Sequence, residues 1–248
     1  WQGAALELAG DQDSAMRAYG VARSRLGTNI QLPRRSSVTA AAESVEYNAF
    51  GQAVADIVCH TNGAKIGKDL AKLEGTLLQI VSGTPSQAEA AMRELGAILG
   101  LAATRPDNDV GTGPDVLWVN DTDNLAIAFE LKTDKSDSSS YSKSDISQGH
   151  DHLVWIGENY PGIKCLGLIY VGPHCSVRNE ANPSREMHAC SPEGVHALAG
   201  AVLALLRDIA DSVPLERPDR VIGVSVQDVW DITEIFGRLA EVPMEDLR

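Results

Sequence analysis

Residues 113–135 read GPDVLWVNDTDNLAIAFELKTDK, and this stretch decides the predicted fold. Two short apolar runs, residues 116–119 and 125–131, flank the turn sequence NDTDN, which is typical of a β-hairpin. Residues two apart in a strand face the same side, so Glu130 and Lys132 project together. Asp115 precedes the first run, and the hairpin brings it near the end of the second. The sequence therefore predicts three charged side chains at one end of an apolar strand pair.

These three charges favour a catalytic site. Burying a lone carboxylate or ammonium is costly, so the groups need each other or an ion. Two carboxylates at one edge form a hard oxygen site that suits Mg²⁺, and a neighbouring Lys can stabilise developing negative charge. Metal-assisted phosphodiester hydrolysis uses all three groups. The alternative is that Glu130 and Lys132 form a solvated pair on an edge strand, with Asp115 a turn residue after Pro114.

Helical and strand patterns surround the hairpin. Upstream, Thr84, Pro85 and Gln87 predict the capped start of a helix that ends at Gly100. Downstream we predict a helix at 145–159 capped by Ser144, a strand at 165–171, a polar loop at 172–190, a helix at 191–212, a strand at 221–226 and a helix at 229–239. This order predicts an α/β domain with a mixed sheet flanked by helices.

Pro114-Asp115 and Glu130-Leu131-Lys132, in this strand context, resemble the PD and ExK motifs of the PD-(D/E)XK nuclease superfamily. The resemblance covers residues 84–172 and implies a restriction-endonuclease-like fold. It also implies an endonuclease that hydrolyses DNA with Mg²⁺ or Mn²⁺, with RNA as an alternative substrate. Asp115 and Glu130 would bind the ion and Lys132 would stabilise charge. The superfamily's links to restriction, defence and repair suggest a role in bacterial DNA metabolism.

Two helices extend the resemblance. In AEAAMRELGAILGL (88–101) it implies that Glu89 assists in binding the metal, with Glu94 as the weaker candidate. In SDISQGHDHLVW (144–155) it implies that Gln148 contacts the attacking water or a phosphate. Proton-transfer roles are open to His150 and His152, but histidines in the first two turns of a helix are more often exposed or capping.

The first 83 residues are predicted to form a helical N-terminal region, followed by the nuclease-like domain at 84–248. Helices are expected at about 37–60 and 65–81, after a linker at 31–37. Near the N-terminus, small and aromatic residues at helical spacing resemble one tetratricopeptide-like unit: Gly3, Gly10, Ala15, Tyr19 and Ala22. An ordinary helical hairpin is the alternative. Trp1 in place of Met predicts a processed chain or a piece of a longer protein.

The net charge of −13 is unevenly distributed. Residues 1–83 contain eight basic and eight acidic residues, so the whole acidic excess lies in 84–248. Such a surface repels phosphate, so we expect further domains or a protein partner to supply the contacts with nucleic acid. A homodimer is a further expectation. The alternative function is a catalytically inactive, nuclease-like binding or scaffolding module. The acidic balance and the lack of a basic, aromatic-rich stripe favour that alternative.

The four cysteines form no CxxC pair, which suits free thiols in a reducing cytosol. His174, Cys175, His188 and Cys190 could together hold Zn²⁺, but adjacent His-Cys is poor geometry for one ion. We therefore interpret them as solvated loop residues, with a zinc site as the alternative. No apolar run reaches the roughly 20 residues that span a bilayer, and no secretory signal is visible. We expect a cytoplasmic protein without membrane contact.

Overall fold

The structure, a computed structural model, describes Gly3, Leu6 and residues 12–26, 47–59 and 63–248. Its α-helices are α1 (Gln12–Leu26), α2 (Ala49–Val58), α3 (Gly63–Leu77), α4 (Gln79–Ser82), α5 (Pro85–Ile98), α6 (Pro106–Val110), α7 (Lys143–Asn159), α8 (Pro192–Asp211), α9 (Arg217–Ser225) and α10 (Ile232–Leu239). Two 3₁₀ segments, Asp228–Trp230 and Met244–Leu247, lie on either side of α10.

The strands are β1 (Ala102–Thr104), β2 (Val116–Asn120), β3 (Leu125–Leu131), β4 (Ser140–Tyr141), β5 (Lys164–Val171), β6 (Ser176–Val177), β7 (Met187–Cys190) and β8 (Val242–Pro243). Six of them form one sheet in the order β1-β2-β3-β5-β7-β8, while β4 and β6 pair separately. β1, β2 and β3 are antiparallel, β5 and β7 run parallel to β3, and β8 is antiparallel to β7. The predicted α/β class with a mixed sheet flanked by helices is confirmed.

Alternation along the strands divides the core into two layers. Ile127, Phe129 and Leu131 of β3 pack in one layer with buried residues of α2, α3, α5 and α8. Ala126 and Ala128 face the other layer, which α7 covers with Ile146 and Ile156. Glu130 belongs to this second face by the same alternation. The hairpin therefore presents Glu130 towards α7.

The hairpin and the helix before it form as their sequences predict. The main-chain N–H of Thr84 donates to Oε1 of Gln87 at 2.9 Å, which completes the capping box of α5. Gly100 ends the helix at a φ of +77°, a left-handed conformation that glycine adopts without steric cost. Nε1 of Trp118 donates to the carbonyl of Met92 at 3.0 Å and ties β2 to α5.

The predicted strand at 221–226 is wrong, because this segment is the helix α9. Its buried residues are Arg217, Val221 and Ser225, which recur every fourth position as on one helix face. The β-branched run VIGV suggests a strand, but Pro218 starts a helix and Val221 packs into the helical layer. The side chain of Arg217 donates to the carbonyls of Val58 at 3.2 Å and Ala210 at 2.6 Å.

The predicted polar loop at 172–190 is also partly wrong, because it contains β6 and β7. β7 pairs with β5 and ends at Cys190, which is fully buried. β7 has only four residues, and its second residue, His188, is half-buried. So short a strand shows no clear alternation of apolar and polar residues, and the sequence therefore does not identify it. The interpretation of Cys175 and Cys190 as solvated is therefore wrong, since both thiols are buried.

In the N-terminal region, a Cβ added at Gly3 would come within 2.6 Å of the Tyr19 ring, and Ala15 is buried. This close contact is the kind that the small-residue pattern predicts, although the tetratricopeptide-like unit itself stays a prediction. Gly10 and residues 37–46 of the predicted helix at 37–60 lie outside the described residues. The division of the chain at residue 83 also stays a prediction. Within the described part, no helix is long and apolar enough to cross a membrane.

Candidate active site

Two carboxylates face each other at the open end of the β2–β3 hairpin. Val116 pairs with Phe129, and one further step along this antiparallel register places Asp115 opposite Glu130. Oδ2 of Asp115 accepts a hydrogen bond from the main-chain N–H of Leu131 at 2.7 Å. Glu130 points towards α7, where it meets His152, while the Asp115 carboxylate turns to the main chain of β3 beside it.

Glu130 is almost completely buried, with 1% of its surface exposed. Its Oε1 lies 2.8 Å from Nζ of Lys132, and its Oε2 lies 2.9 Å from Nε2 of His152. Burial alone would raise the pKa of Glu130, but the contacts with His152 and Lys132 outweigh it and lower the pKa. Glu130 is therefore an ionised carboxylate inside the protein, paired with the Lys132 ammonium and in contact with the His152 ring.

One face of α7 completes the site. Asp145, Gln148 and His152 recur at helical spacing and lie over the end of β3. Oε1 of Gln148 accepts from Nζ of Lys132 at 3.2 Å, and Oδ1 of Asp145 lies 3.7 Å from the same ammonium. Lys135 approaches Oδ2 of Asp145 at 3.1 Å. The Lys132 side chain is thus surrounded by acceptors that hold it over the Asp115–Glu130 pair.

The start of α7 is set by Ser142, and the prediction that Ser144 caps this helix is wrong. The hydroxyl of Ser142 accepts from the N–H of Asp145 at 3.2 Å, while Oδ2 of Asp145 accepts from the N–H of Ser142 at 2.7 Å. This reciprocal pair is a capping box, and its Ser-x-x-Asp spacing is visible in the sequence. Asp145 therefore both caps the helix and contacts the site lysines.

Gly149 sets how closely α7 approaches the sheet. A Cβ at this position would overlap the hydroxyl of Tyr170 on β5. That hydroxyl donates to the main-chain carbonyl of Asp145 at 2.9 Å. Because the helix rests on Tyr170 at its glycine, Gln148 and His152 on either side reach the charges of β3.

The burial of two neighbouring carboxylates changes the pKa of Asp115. Burial and the nearby Glu130 carboxylate raise the pKa of Asp115 to about 7, although the hydrogen bond from Leu131 and the Lys132 ammonium oppose the shift. Two carboxylates this close repel each other when both are ionised. A perturbed pKa with a specific charge partner marks a candidate functional site.

The donor set suits one hard divalent cation. Mg²⁺ commonly binds protein through one or two carboxylates and completes its octahedron with waters and substrate phosphates. Asp115 and Glu130 supply these two carboxylates, and a cation between them would remove the repulsion that raises the pKa of Asp115. Among the described residues, however, no three His, Cys, Asp or Glu side chains are grouped so as to hold a metal ion.

Glu89 lies close enough to raise the pKa of Asp115, but its carboxylate is paired with the guanidinium of Arg105. Its predicted role as a third metal ligand therefore requires this ion pair to open, and that role stays a prediction. Glu94 is exposed and lines a separate cleft with Asp69 and Lys72, away from the hairpin end.

The predicted zinc candidates are not gathered into one group. His174 lies 2.9 Å from Glu241, His188 packs its ring edge against Phe236, and the Cys190 thiol contacts the carbonyl of Ser191. His174 and Cys190 thus both lie beside Glu241, whereas His188 faces Phe236. The described residues contain no group of three His, Cys, Asp or Glu side chains that could hold a metal ion. Burial also raises the pKa of the Cys190 thiol above its ordinary value, which disfavours the thiolate that zinc needs.

His152 is the site residue whose environment the sequence interpretation missed. It is 8% exposed and contacts Glu130, whereas His150 is exposed and contacts the carbonyl of Asn182. The available signal was helical spacing, because His152 follows Gln148 by four residues and Asp145 by seven, on one face.

Comparison with known proteins adds no relative, because no family model, curated protein or solved structure matches the chain.

Proposed function

We propose that the chain is a metal-dependent endonuclease that hydrolyses phosphodiester bonds of DNA, with RNA as the alternative substrate. The observation that carries the proposal is the convergence of Asp115, Glu130 and Lys132 at one end of the hairpin. Asp115 opposes Glu130, whose Oε1 is 2.8 Å from Nζ of Lys132. Metal-assisted phosphodiester hydrolysis can use opposed carboxylates to hold the ion and an adjacent ammonium to stabilise charge.

Each residue has a role that follows from its position. Asp115 and Glu130 would hold Mg²⁺ or Mn²⁺, with Glu89 joining them on release from Arg105. When bound, the cation supplies Lewis-acid polarisation of the phosphoryl group. Lys132 donates from Nζ to a phosphate oxygen, where negative charge grows as water attacks phosphorus and the bond to the leaving oxygen breaks.

Gln148 acts through its amide group. Its oxygen accepts from Lys132 at 3.2 Å and so orients the ammonium, while its N–H groups can donate to a phosphate oxygen or to the attacking water. Asp145 supports the same lysine from the next turn towards the N-terminus. The helix α7 therefore both covers the site and positions the Lys132 ammonium.

The acidic surface limits what the chain does alone. A net charge of −13 repels the DNA backbone, so we propose that further domains, a protein partner or a second copy supply the phosphate contacts. A cytoplasmic role in bacterial restriction, defence or repair accords with this arrangement and rests on the motif resemblance alone.

The test is nicking of supercoiled plasmid by the purified chain at neutral pH with millimolar Mn²⁺ or Mg²⁺. We expect slow, metal-dependent nicking that Lys132→Ala and Asp115→Asn each reduce at least about 100-fold. Lys164→Ala and Asp121→Asn are matched controls, because both residues are exposed and lie at the opposite end of the hairpin. Nicking that survives in both site variants would remove these residues from the mechanism.

A catalytically inactive nuclease-like binding module is the second candidate. The observation that favours it is the charge pairing already present, since Lys132 pairs with Glu130 and Arg105 pairs with Glu89. Such a network can be structural without any metal. The module predicts no nicking and no effect of Mn²⁺ on thermal unfolding.

A further inference from the structure

The Glu130 carboxylate is contacted from two elements of the fold. Lys132, the residue directly after β3, reaches Oε1 through a flexible four-carbon chain. His152 reaches Oε2 from α7 through a short, rigid ring. With both oxygens contacted, the second contact restricts rotation of the carboxylate plane more than the Lys132 contact alone.

The His152–Glu130 contact is buried on both sides. Glu130 is 1% exposed and His152 is 8% exposed. Nε2 and Oε2 lie 2.9 Å apart at angles outside those of a good hydrogen bond, and neither atom has another partner within the described part of the chain. Two bare acceptors would repel at this separation, so the contact requires a proton on Nε2.

The position of His152 is itself determined by packing. Gly149, one turn earlier, rests on the Tyr170 hydroxyl, and the capping box of Ser142 sets the start of the helix. His152 is therefore held at a defined height over β3. His150, two residues away, is exposed and points to a different neighbour, Asn182.

We propose that His152 is a positioning residue that orients the Glu130 carboxylate for the divalent cation shared with Asp115. This inference rests on the proposed function, because it concerns the same site. His152 acts through Glu130 and takes no part in the bond changes at phosphorus. Partners that orient metal-binding carboxylates typically contribute 10–100-fold to metal affinity or activity.

The experiment measures Mn²⁺ binding to the full chain by titration calorimetry, with thermal melting of each variant to confirm folding. His152→Leu removes the contact, and we expect Mn²⁺ affinity to fall about 10–100-fold. His152→Gln places an amide N–H near the position of Nε2 and should restore most of the affinity. His152→Asn ends near the position of Nδ1 and should not. His150→Leu is the matched control and should bind as the wild type does.

The outcomes separate the two proposals. Unchanged affinity in His152→Leu, or equal weakness of the Gln and Leu variants, overturns the positioning role while the proposed function stands. If the wild-type chain binds no Mn²⁺, the metal-dependent function itself fails. Affinity restored by Gln and not by Asn supports contact through Nε2, which a general loss of packing would not reproduce.

Discussion

The chain buries charge in two regions, and the two regions deal with its cost differently. In the helical layer, Arg217 is 7% exposed and donates to the carbonyls of Val58 and Ala210. Val58 ends α2 and Ala210 lies in the last turn of α8, where main-chain carbonyls are unsatisfied and the helix dipole is negative. The positive charge therefore meets partners of opposite sign.

At the end of the hairpin, a buried carboxylate instead meets another carboxylate. Asp115 opposes Glu130, and its pKa rises to about 7 because burial and that neighbour disfavour its charged form. Fold stability does not require such a pair, since apolar residues would fill the same space at lower cost. The comparison separates a buried charge that holds helices together from a buried acidic pair that the proposed function assigns to a metal ion.

The largest expected effect on stability comes from Arg217→Met. Two hydrogen bonds from a charged donor are lost and two helix-end carbonyls are left without this partner, which should cost about 4 kcal/mol. Urea unfolding measures the loss. Arg220→Met is the matched control, because Arg220 is exposed and pairs with Asp208 on the surface, so its loss should cost less than about 1 kcal/mol. Equal effects of the two substitutions would contradict the structural role of Arg217.

Asp115→Asn should instead stabilise the folded state relative to the wild type. Because the folded pKa of Asp115 lies near 7 and its ordinary value is 3.8, the folded state binds the extra proton between these values. The stability that the wild type gains from protonation of Asp115 in the folded state is therefore lost as pH rises from about 4 to 7. Asn keeps an acceptor for Leu131 and removes the charge. The free energy of unfolding of Asp115→Asn, relative to that of the wild type, should therefore rise by about 2.5 kcal/mol between pH 5 and pH 8.

Urea unfolding of both proteins without divalent cations, at pH 5 and at pH 8, measures this growth. Asp121→Asn, in the exposed hairpin turn, should show a difference from the wild type that does not change with pH. An Asp115→Asn difference that is also constant with pH would mean that the two carboxylates do not repel each other in the folded chain.

The smallest effect is expected from Ser142→Ala. Loss of the capping box of α7 should cost about 1 kcal/mol and loosen Asp145 above Lys132. Ser144→Ala is the control, because Ser144 is exposed and does not cap the helix. Thermal melting ranks the two variants. A larger loss from Ser144 would show that α7 begins later than the structure places it.

Much of the framework around the site could be predicted from local patterns. The hairpin follows from two apolar runs around a polar turn, and α5 follows from its capping box and Gly100. The meeting of Asp115, Glu130 and Lys132 follows from strand alternation plus the hairpin. These are short-range features, so the sequence is sufficient to predict them.

The errors arise where distant contacts decide the structure. The run at 221–226 is helical because Val221 and Arg217 pack into a layer made by residues far away in the chain. Arg105 pairs with Glu89, 16 residues away in the sequence, and no local sequence pattern predicts this ion pair. His152 looks exposed in a polar helix start, and only the packing of Gly149 on Tyr170 brings it to Glu130.

Binding of Mn²⁺ to the wild-type chain and to Asp115→Asn at pH 8, measured by titration calorimetry, tests the central claim most directly. The account predicts that the wild type binds one ion at the Asp115–Glu130 pair, and that Asp115→Asn weakens binding at least about 10-fold. Absence of binding to the wild type, or equal binding by the two proteins, would contradict it.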